Sequence, residues 1–228
     1  MFDLFGTLVS YYREYSNVGF HRSHEVALST GAAVDYDQFC AAWAETYLEL
    51  DAAASKSHAE FSMQTYSTVL LERLSGSTVD PSAVELFRST YLEEWSTGVE
   101  VISGVAEMIS ELSGHYTLAV VTNTHDDRFA RGQLARTGVA DLFDVVVTSI
   151  GHGMRKPAPA VFRHALELSG GEPDRALFVG DSYEADYCGA VAAGLMCLLI
   201  DPDQKHDVPN AHRIDTITDL PSRLEEVA

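Results

Sequence analysis

Four short runs of Val, Leu and Ile constrain this chain more than any other feature: YTLAVVTNT (116–124), LFDVVVTS (142–149), RALFVGDS (175–182) and LMCLLID (195–201). Each is apolar at successive positions, so both faces of the strand it forms must be covered, as in a buried parallel sheet. Helical patterns over 104–113, 127–137, 158–169 and 184–193 separate the runs. Strand and helix alternating at this spacing predict βαβ units and an open, doubly wound α/β sheet. Ligands of such sheets gather at the carboxyl ends of the strands.

Residues 11–97 read differently. Phe39, Trp43 and Tyr47 recur at helical spacing, as do Val69, Leu70 and Leu74, then Val84, Phe87, Tyr91 and Trp95. Asp80 followed by Pro81 is an N-cap and first-turn pair. The stretch predicts an inserted all-helical domain over 11–97, its aromatic stripes forming its own core, within an α/β domain of residues 1–10 and 98–228.

A chain of 228 residues is long enough for one core with such an insertion. Its 34 acidic residues against 15 basic give a formal charge of −19, which predicts no nucleic-acid and no anionic-membrane partner. An acidic protein that handles anionic small molecules needs a local positive device. Cys40, Cys188 and Cys197 show no CxxC spacing and predict reduced thiols. With no signal-peptide pattern and no membrane-length apolar run, a cytoplasmic monomer or homodimer is expected.

Each strand end carries a polar signal. The opening MFDLFGTLVS sets Asp3 among apolar residues ahead of a Gly6-Thr7 turn, where a carboxylate is costly unless something uses it. Thr122 and Asn123 end the VVTNT run, Lys156 precedes Pro157 in GMRKPAPAVF, and FVGDSYEAD ends on Asp181 with Asp186 five residues on. Singly, each has a bland alternative as a turn cap or a solvated charge. Together they converge on one crevice.

In order and spacing these motifs resemble those of the haloacid dehalogenase superfamily of aspartate-nucleophile hydrolases, in the variant with a helical cap after the first motif. The resemblance spans nearly the whole chain. It implies that Asp3 is the nucleophile and that Thr122 and Lys156 bind the transferring anionic group, with Gly6, Thr7 and Asn123 lining the substrate. It further implies a Mg²⁺ ion held by Asp3, the Phe5 carbonyl and Asp181, with Asp186 supporting the lysine or the metal. Arg13, in SYYREYS, either reaches over the site or is a surface arginine at the cap boundary. The expected substrate is a small phosphorylated metabolite, hydrolysed through an aspartyl-phosphate beneath the cap. The charges agree with a metal, because adjacent Asp3 and Asp181 repel unless a cation lies between them.

Two departures keep the function open. The family's phosphatases carry a second aspartate two residues after the nucleophile, as general acid and base; here that position is Phe5. One reading is Mg²⁺-dependent phosphoryl transfer from a leaving group acidic enough to depart unprotonated, such as an acyl phosphate, an anomeric sugar phosphate or a nucleoside polyphosphate. The alternatives are a 2-haloacid dehalogenase, whose relatives carry an aromatic residue there, and a weakly active or non-catalytic binding module. The second departure is that only Met1 and Phe2 precede Asp3, against a usual strand of about 5–6 residues. Either the first strand starts earlier than the sequence given, or the sheet is open beside the nucleophile. His21 and His24 lack a third metal ligand at useful spacing, while His125, Asp126 and Asp127 either line the entrance or cap the next helix.

Overall fold

The computed structural model describes residues 1–11 and 19–225. The chain divides into two compact units, Met1–Tyr11 with Glu100–Ala228, and Tyr12–Val99.

The second unit consists of α1 (His21–Ser29), α2 (Tyr36–Ser57), α3 (Met63–Ser75) and α4 (Pro81–Ser96). Local chemistry sets most of the starts. Asp35 and Gln38 form a reciprocal capping box on α2, and the Ser62 hydroxyl accepts the Thr65 N–H at 3.0 Å. Asp80 caps α4 ahead of Pro81, as the sequence predicts. Helix α1 has Phe20 at its N-cap position, with no side-chain oxygen to offer. The buried Glu94 of α4 supplies the missing acceptor, taking the N–H groups of Arg22 at 2.8 Å and Ser23 at 3.0 Å. Phe39, Trp43, Tyr66, Leu70, Leu71, Phe87 and Tyr91 close the core of this unit. In α3 the inward pair is Leu70 and Leu71, with Val69 only half-buried.

In the first unit, β1 (Val9–Tyr11) pairs with β2, whose span Val99–Val101 carries the division between the units after Val99, as a separate two-stranded ladder. The main sheet comprises β3 (Ala119–Thr122), β4 (Val145–Thr148), β5 (Leu177–Gly180), β6 (Met196–Ile200) and β7 (Arg213–Ile214), all paired parallel. Residues 1–3 fill the slot between β3 and β5. Phe2 bridges Val120 on one side and Val179 on the other, both parallel. Its N–H donates to the Ala119 carbonyl at 2.8 Å, and the Asp3 N–H donates to the Val179 carbonyl at 2.9 Å. The sheet therefore runs β4, β3, residues 1–3, β5, β6, β7, and it is not open beside Asp3. The short first strand is held on both edges instead of by its length.

The predicted helices at 104–113, 127–137 and 158–169 appear as α5 (Val105–Ser113), α6 (Asp127–Arg136) and α8 (Pro159–Ser169), with one short turn, α7 (Ser149–His152), after β4. The helix predicted over 184–193 differs. It begins as a π-helical turn, Tyr183–Cys188, and continues as α9 (Gly189–Ala193); α10 (Leu220–Glu225) follows β7. The π turn forms because Ser182, just ahead of it, bonds twice to its far half: the Ser182 carbonyl accepts the Tyr187 N–H at 3.1 Å, and the Ser182 N–H donates to the Asp186 carboxylate at 2.9 Å. Val121, Val147, Phe162, Phe178 and Cys197 make the core against α8, with Phe162 and Phe178 edge to face at 5.0 Å.

Candidate active site

The strand-end motifs come together at the carboxyl edge of the sheet. Residues 1–3 deliver Asp3, which is 7 % exposed, and the turn after it reverses through Gly6 at φ +88°. Across from it, the loop after β5 carries Asp181, and the π turn carries the fully buried Asp186. Lys156, 3 % exposed, reaches between them, donating to Asp3 at 2.7 Å and to Asp186 at 2.6 Å. Its ammonium also lies 5.3 Å from the centre of the Phe178 ring.

Backbone close approach makes this convergence possible. A Cβ on Gly6 would stand 2.5 Å from the Asp181 carboxylate, and one on Gly180 would collide with the Asp186 carboxylate. Among the described residues, Asp3, Asp181 and Asp186 are the cluster fit for a metal, each offering an oxygen within 4.8 Å of the others. The electrostatics reflect the crowding. Burial pushes the Asp186 carboxyl up to about 7; the Asp3 charge adds to this while Lys156 opposes it. Burial works against the Lys156 charge, but Asp186 and Asp3 together hold it protonated, its pKa above the usual lysine value.

At the strand ends, Thr122 of β3, 1 % exposed, and the fully buried Thr7 of the first turn have no hydrogen-bond partner for their Oγ1 atoms among the described residues. Buried donors of this kind call for an explanation, and an anion at the strand ends would supply one. Asn123 has partners other than the expected substrate: its amide accepts the Lys156 N–H at 2.8 Å and donates to the Lys156 carbonyl at 3.0 Å. It joins the second motif to the third and sets the position of Lys156. Arg13 lies outside the described residues.

Of the residues weighed beside the motifs, Asp126 caps α6 by accepting the Phe129 N–H at 2.9 Å. Asp127 accepts the Thr148 hydroxyl at 2.7 Å and pairs with Arg131. His21 stacks on Tyr36, and the His24 ring meets the Val34 carbonyl at 3.0 Å. The sequence reading missed Arg155, a buried cation adjacent to Lys156, and Phe129, whose ring stacks on Phe5. Position next to a motif lysine was a usable signal for Arg155. No spacing rule links Phe5 to Phe129.

Residues 35–200 match the profile of the haloacid dehalogenase-like hydrolases. The chain belongs to this family. The matched span includes Lys156, Asp181 and Asp186 and begins after Asp3. The chain is 28% identical over 234 residues to a ribulose-1,5-bisphosphate 5-phosphatase from Halopiger xanaduensis, with 96% of each covered. It is 32% identical to human haloacid dehalogenase-like hydrolase domain-containing protein 3, covering 74% of this chain and 70% of that one. Among solved structures, a 2-haloacid dehalogenase from Pseudomonas syringae superposes with a TM-score of 0.72 at 24% identity, over 100% of this chain and 97% of that chain. The magnesium-bound HAD-hydrolase YfnB of Bacillus subtilis superposes with a TM-score of 0.63 at 21% identity, over 98% and 96%. These likenesses confirm the fold, a parallel α/β sheet with a helical insertion. No described helix is long and apolar enough to cross a membrane.

Proposed function

We propose that this hydrolase is a metal-dependent phosphatase of small phosphorylated metabolites, with Asp3 as nucleophile. The observation that carries the reading is the convergence of Asp3, Asp181 and Asp186 oxygens within 4.8 Å beside a lysine already engaged by two of them. Displacement of halide by Asp3 would use Asp186 only through Lys156 and gives Asp181 no role. Hard oxygen donors in this set suit Mg²⁺, with Asp3, Asp181, the Phe5 carbonyl and, through Lys156 or directly, Asp186 as its holders. When bound, the ion would neutralise phosphate charge and the mutual repulsion of the carboxylates.

The chain's own residues then divide the work. The Lys156 ammonium and the unpartnered Thr122 and Thr7 hydroxyls donate to phosphate oxygens as charge builds on them. Freed from part of its bond to Lys156, the Asp3 carboxylate attacks phosphorus and displaces the leaving group. Phe5 has no proton to give, so the leaving oxygen departs with its negative charge. Water then cleaves the aspartyl-phosphate, and phosphate retains the second proton of that water. The helical unit corresponds to the family's cap domain. Relatives named ribulose-1,5-bisphosphate 5-phosphatase and glyceraldehyde 3-phosphate phosphatase support a sugar-phosphate scale of substrate.

The aromatic Phe5 favours a second reading, 2-haloacid dehalogenation, which needs no proton donor. One experiment separates them. Phosphate release from acetyl phosphate should require Mg²⁺, stop in EDTA, and vanish in Asp3→Asn and Asp181→Ala. Halide release from 2-chloropropionate in EDTA would establish the second reading instead, and neither activity would leave a binding module.

A further inference from the structure

Resting on the phosphatase reading, we propose that the loop over 202–212 is a positioning clamp for the acids of the site: His206 and His212 grip Tyr183 and Tyr187 of the π turn and so hold Asp186, and Asp181 ahead of it, in register with Lys156. The loop is fixed from its base. The Asp201 carboxylate accepts the His206 N–H at 3.1 Å, while the Arg213 guanidinium donates to the His206 carbonyl at 2.6 Å. The two histidines then reach the π turn, Tyr183–Cys188. The His206 ring stacks on Tyr183, centroids 4.6 Å apart and planes within 2°, and Tyr183 stacks in turn on Tyr187 at 5.8 Å and 12°. His212 Nδ1 and the Tyr187 hydroxyl share a hydrogen bond of 2.7 Å.

A π turn needs such support, because it carries one residue more than the α turn it replaces and is rare for that reason. Its far end cannot absorb a relaxation. A Cβ on Gly189 would stand 2.8 Å from the Phe162 ring and 2.9 Å from Pro157 Cα, so the start of α9 is seated against the residue that follows Lys156. Losing the extra residue must therefore rotate the near end, by about 100° in a helix. The Asp186 carboxylate would then leave the Lys156 ammonium, 2.6 Å away, and the Ser182 N–H, 2.9 Å away. Tyr183 and Tyr187 stand on either side of Asp186 in the sequence, so a grip on both fixes the carboxylate between them. His206 and His212 act through the turn, as positioning residues.

The test removes the grip without removing a ring. Tyr187→Phe and His212→Phe each delete the bond between the two side chains, and Asp203→Ala, at an exposed position of the same loop, is the control expected to change nothing. Mg²⁺ affinity is read by isothermal titration calorimetry, turnover by phosphate release from acetyl phosphate, and folding by thermal melting. Tyr187→Phe and His212→Phe should each weaken Mg²⁺ binding about tenfold or more and lower kcat by a similar factor, the scale on which partners of metal ligands act. Melting should fall by only about 2–4 °C, as the loss of one hydrogen bond predicts in a chain of this length. A loop that merely stabilises the fold would move the melting temperature and leave Mg²⁺ affinity alone. The double variant should match either single one, since both lose the same bond. Unchanged Mg²⁺ affinity and kcat in the single variants, or losses that multiply in the double variant, would overturn the proposal. Should His212→Phe not fold, Tyr187→Phe decides. The phosphatase reading fails by a different result, an unmodified protein that neither binds Mg²⁺ nor releases phosphate, whereas binding and turnover that persist in the variants refute the clamp alone.

Discussion

Replacing Lys156 by Met offers the sharpest physical test of the site, because it removes one charge at nearly constant volume. Lys156 is 3 % exposed and lies 2.7 Å from Asp3 and 2.6 Å from Asp186, themselves 7 % and 0 % exposed. Without it, two buried carboxylates face each other. Breaking a buried ion pair by removing one partner costs about 3–5 kcal/mol. In a protein of this length each kcal/mol moves the midpoint by roughly 2–4 °C, so the α/β unit should melt about 6–20 °C lower. The loss should also depend on pH. Burial raises the Asp186 carboxyl to about 7, above the ordinary value of about 3.9. A carboxyl raised in this way stabilises the fold below its unfolded value and loses that contribution as pH rises through its folded value. Removing the lysine takes away the charge that opposes the shift and extends the window upward. Once protonated, Asp186 needs no cation.

The cost of Lys156→Met should therefore be large at pH 8 and much smaller at pH 5, measured by thermal unfolding in EDTA. Lys156→Met combined with Asp186→Asn should recover part of the loss at pH 8. An equal loss at both pH values, or a double variant no more stable than the single one, would refute the reasoning.

Other outcomes follow from single residues. Phe5→Asp should raise turnover of alkyl phosphates, with a ceiling of the ~10²–10⁴-fold that a general acid contributes, and should flatten the dependence of rate on leaving-group acidity. Unchanged slopes in a series of aryl and alkyl phosphates would show that proton transfer is not the deficit. Buried Asp201 accepts the N–H groups of Lys205 at 3.0 Å and His206 at 3.1 Å and pairs with Arg213. Burial opposes its charge, but these donors prevail and hold its carboxyl below the usual range. Its stabilisation is present at neutral pH and fades as pH falls through the carboxylate range. Asp201→Asn should lower the melting temperature at pH 7 and have little effect near pH 3, a difference absent if the loop over 202–212 bears no load.

The parts of the fold that could be read in advance are those encoded in local pattern. Unbroken apolar runs mark β3 to β6, and the Asp80-Pro81 pair marks the start of α4, because burial on two faces and capping each leave a signature within a few residues. The motif acids and Lys156 could be placed at strand ends for the same reason. What pattern could not show was pairing at a distance. Asn123 meets the backbone of Lys156 33 positions away. Glu94 caps α1 from a helix more than 70 positions downstream. The π turn at Tyr183–Cys188 departs from the predicted helix because a side chain, Asp186, is drawn back to the Ser182 N–H, and periodicity carries no information about such a bond. Residues 1–3 show the converse. By length they fall short of a strand, yet hydrogen bonds to β3 and β5 make them the middle of the sheet.

The two glycines beside the acids bear on the choice between phosphoryl transfer and halide displacement. Gly6 and Gly180 each occupy a place where any side chain would strike a carboxylate, Asp181 in one case and Asp186 in the other. Bringing carboxylates together raises the energy of the ionised state, and at Asp186 the Asp3 charge adds to the larger upward push of burial. A site that needed only a nucleophile and a cation would be satisfied by Asp3 with Lys156 and would gain nothing from that crowding. Gly6 in its left-handed turn and Gly180 at the end of β5 thus leave the backbone room for a convergence that is unfavourable by itself. A divalent cation among the oxygens reverses its sign. The dehalogenase reading explains Phe5 and uses Asp186 to hold Lys156, but gives the Asp181 carboxylate beside Gly6 no role, whereas metal-dependent phosphoryl transfer to Asp3 gives it one.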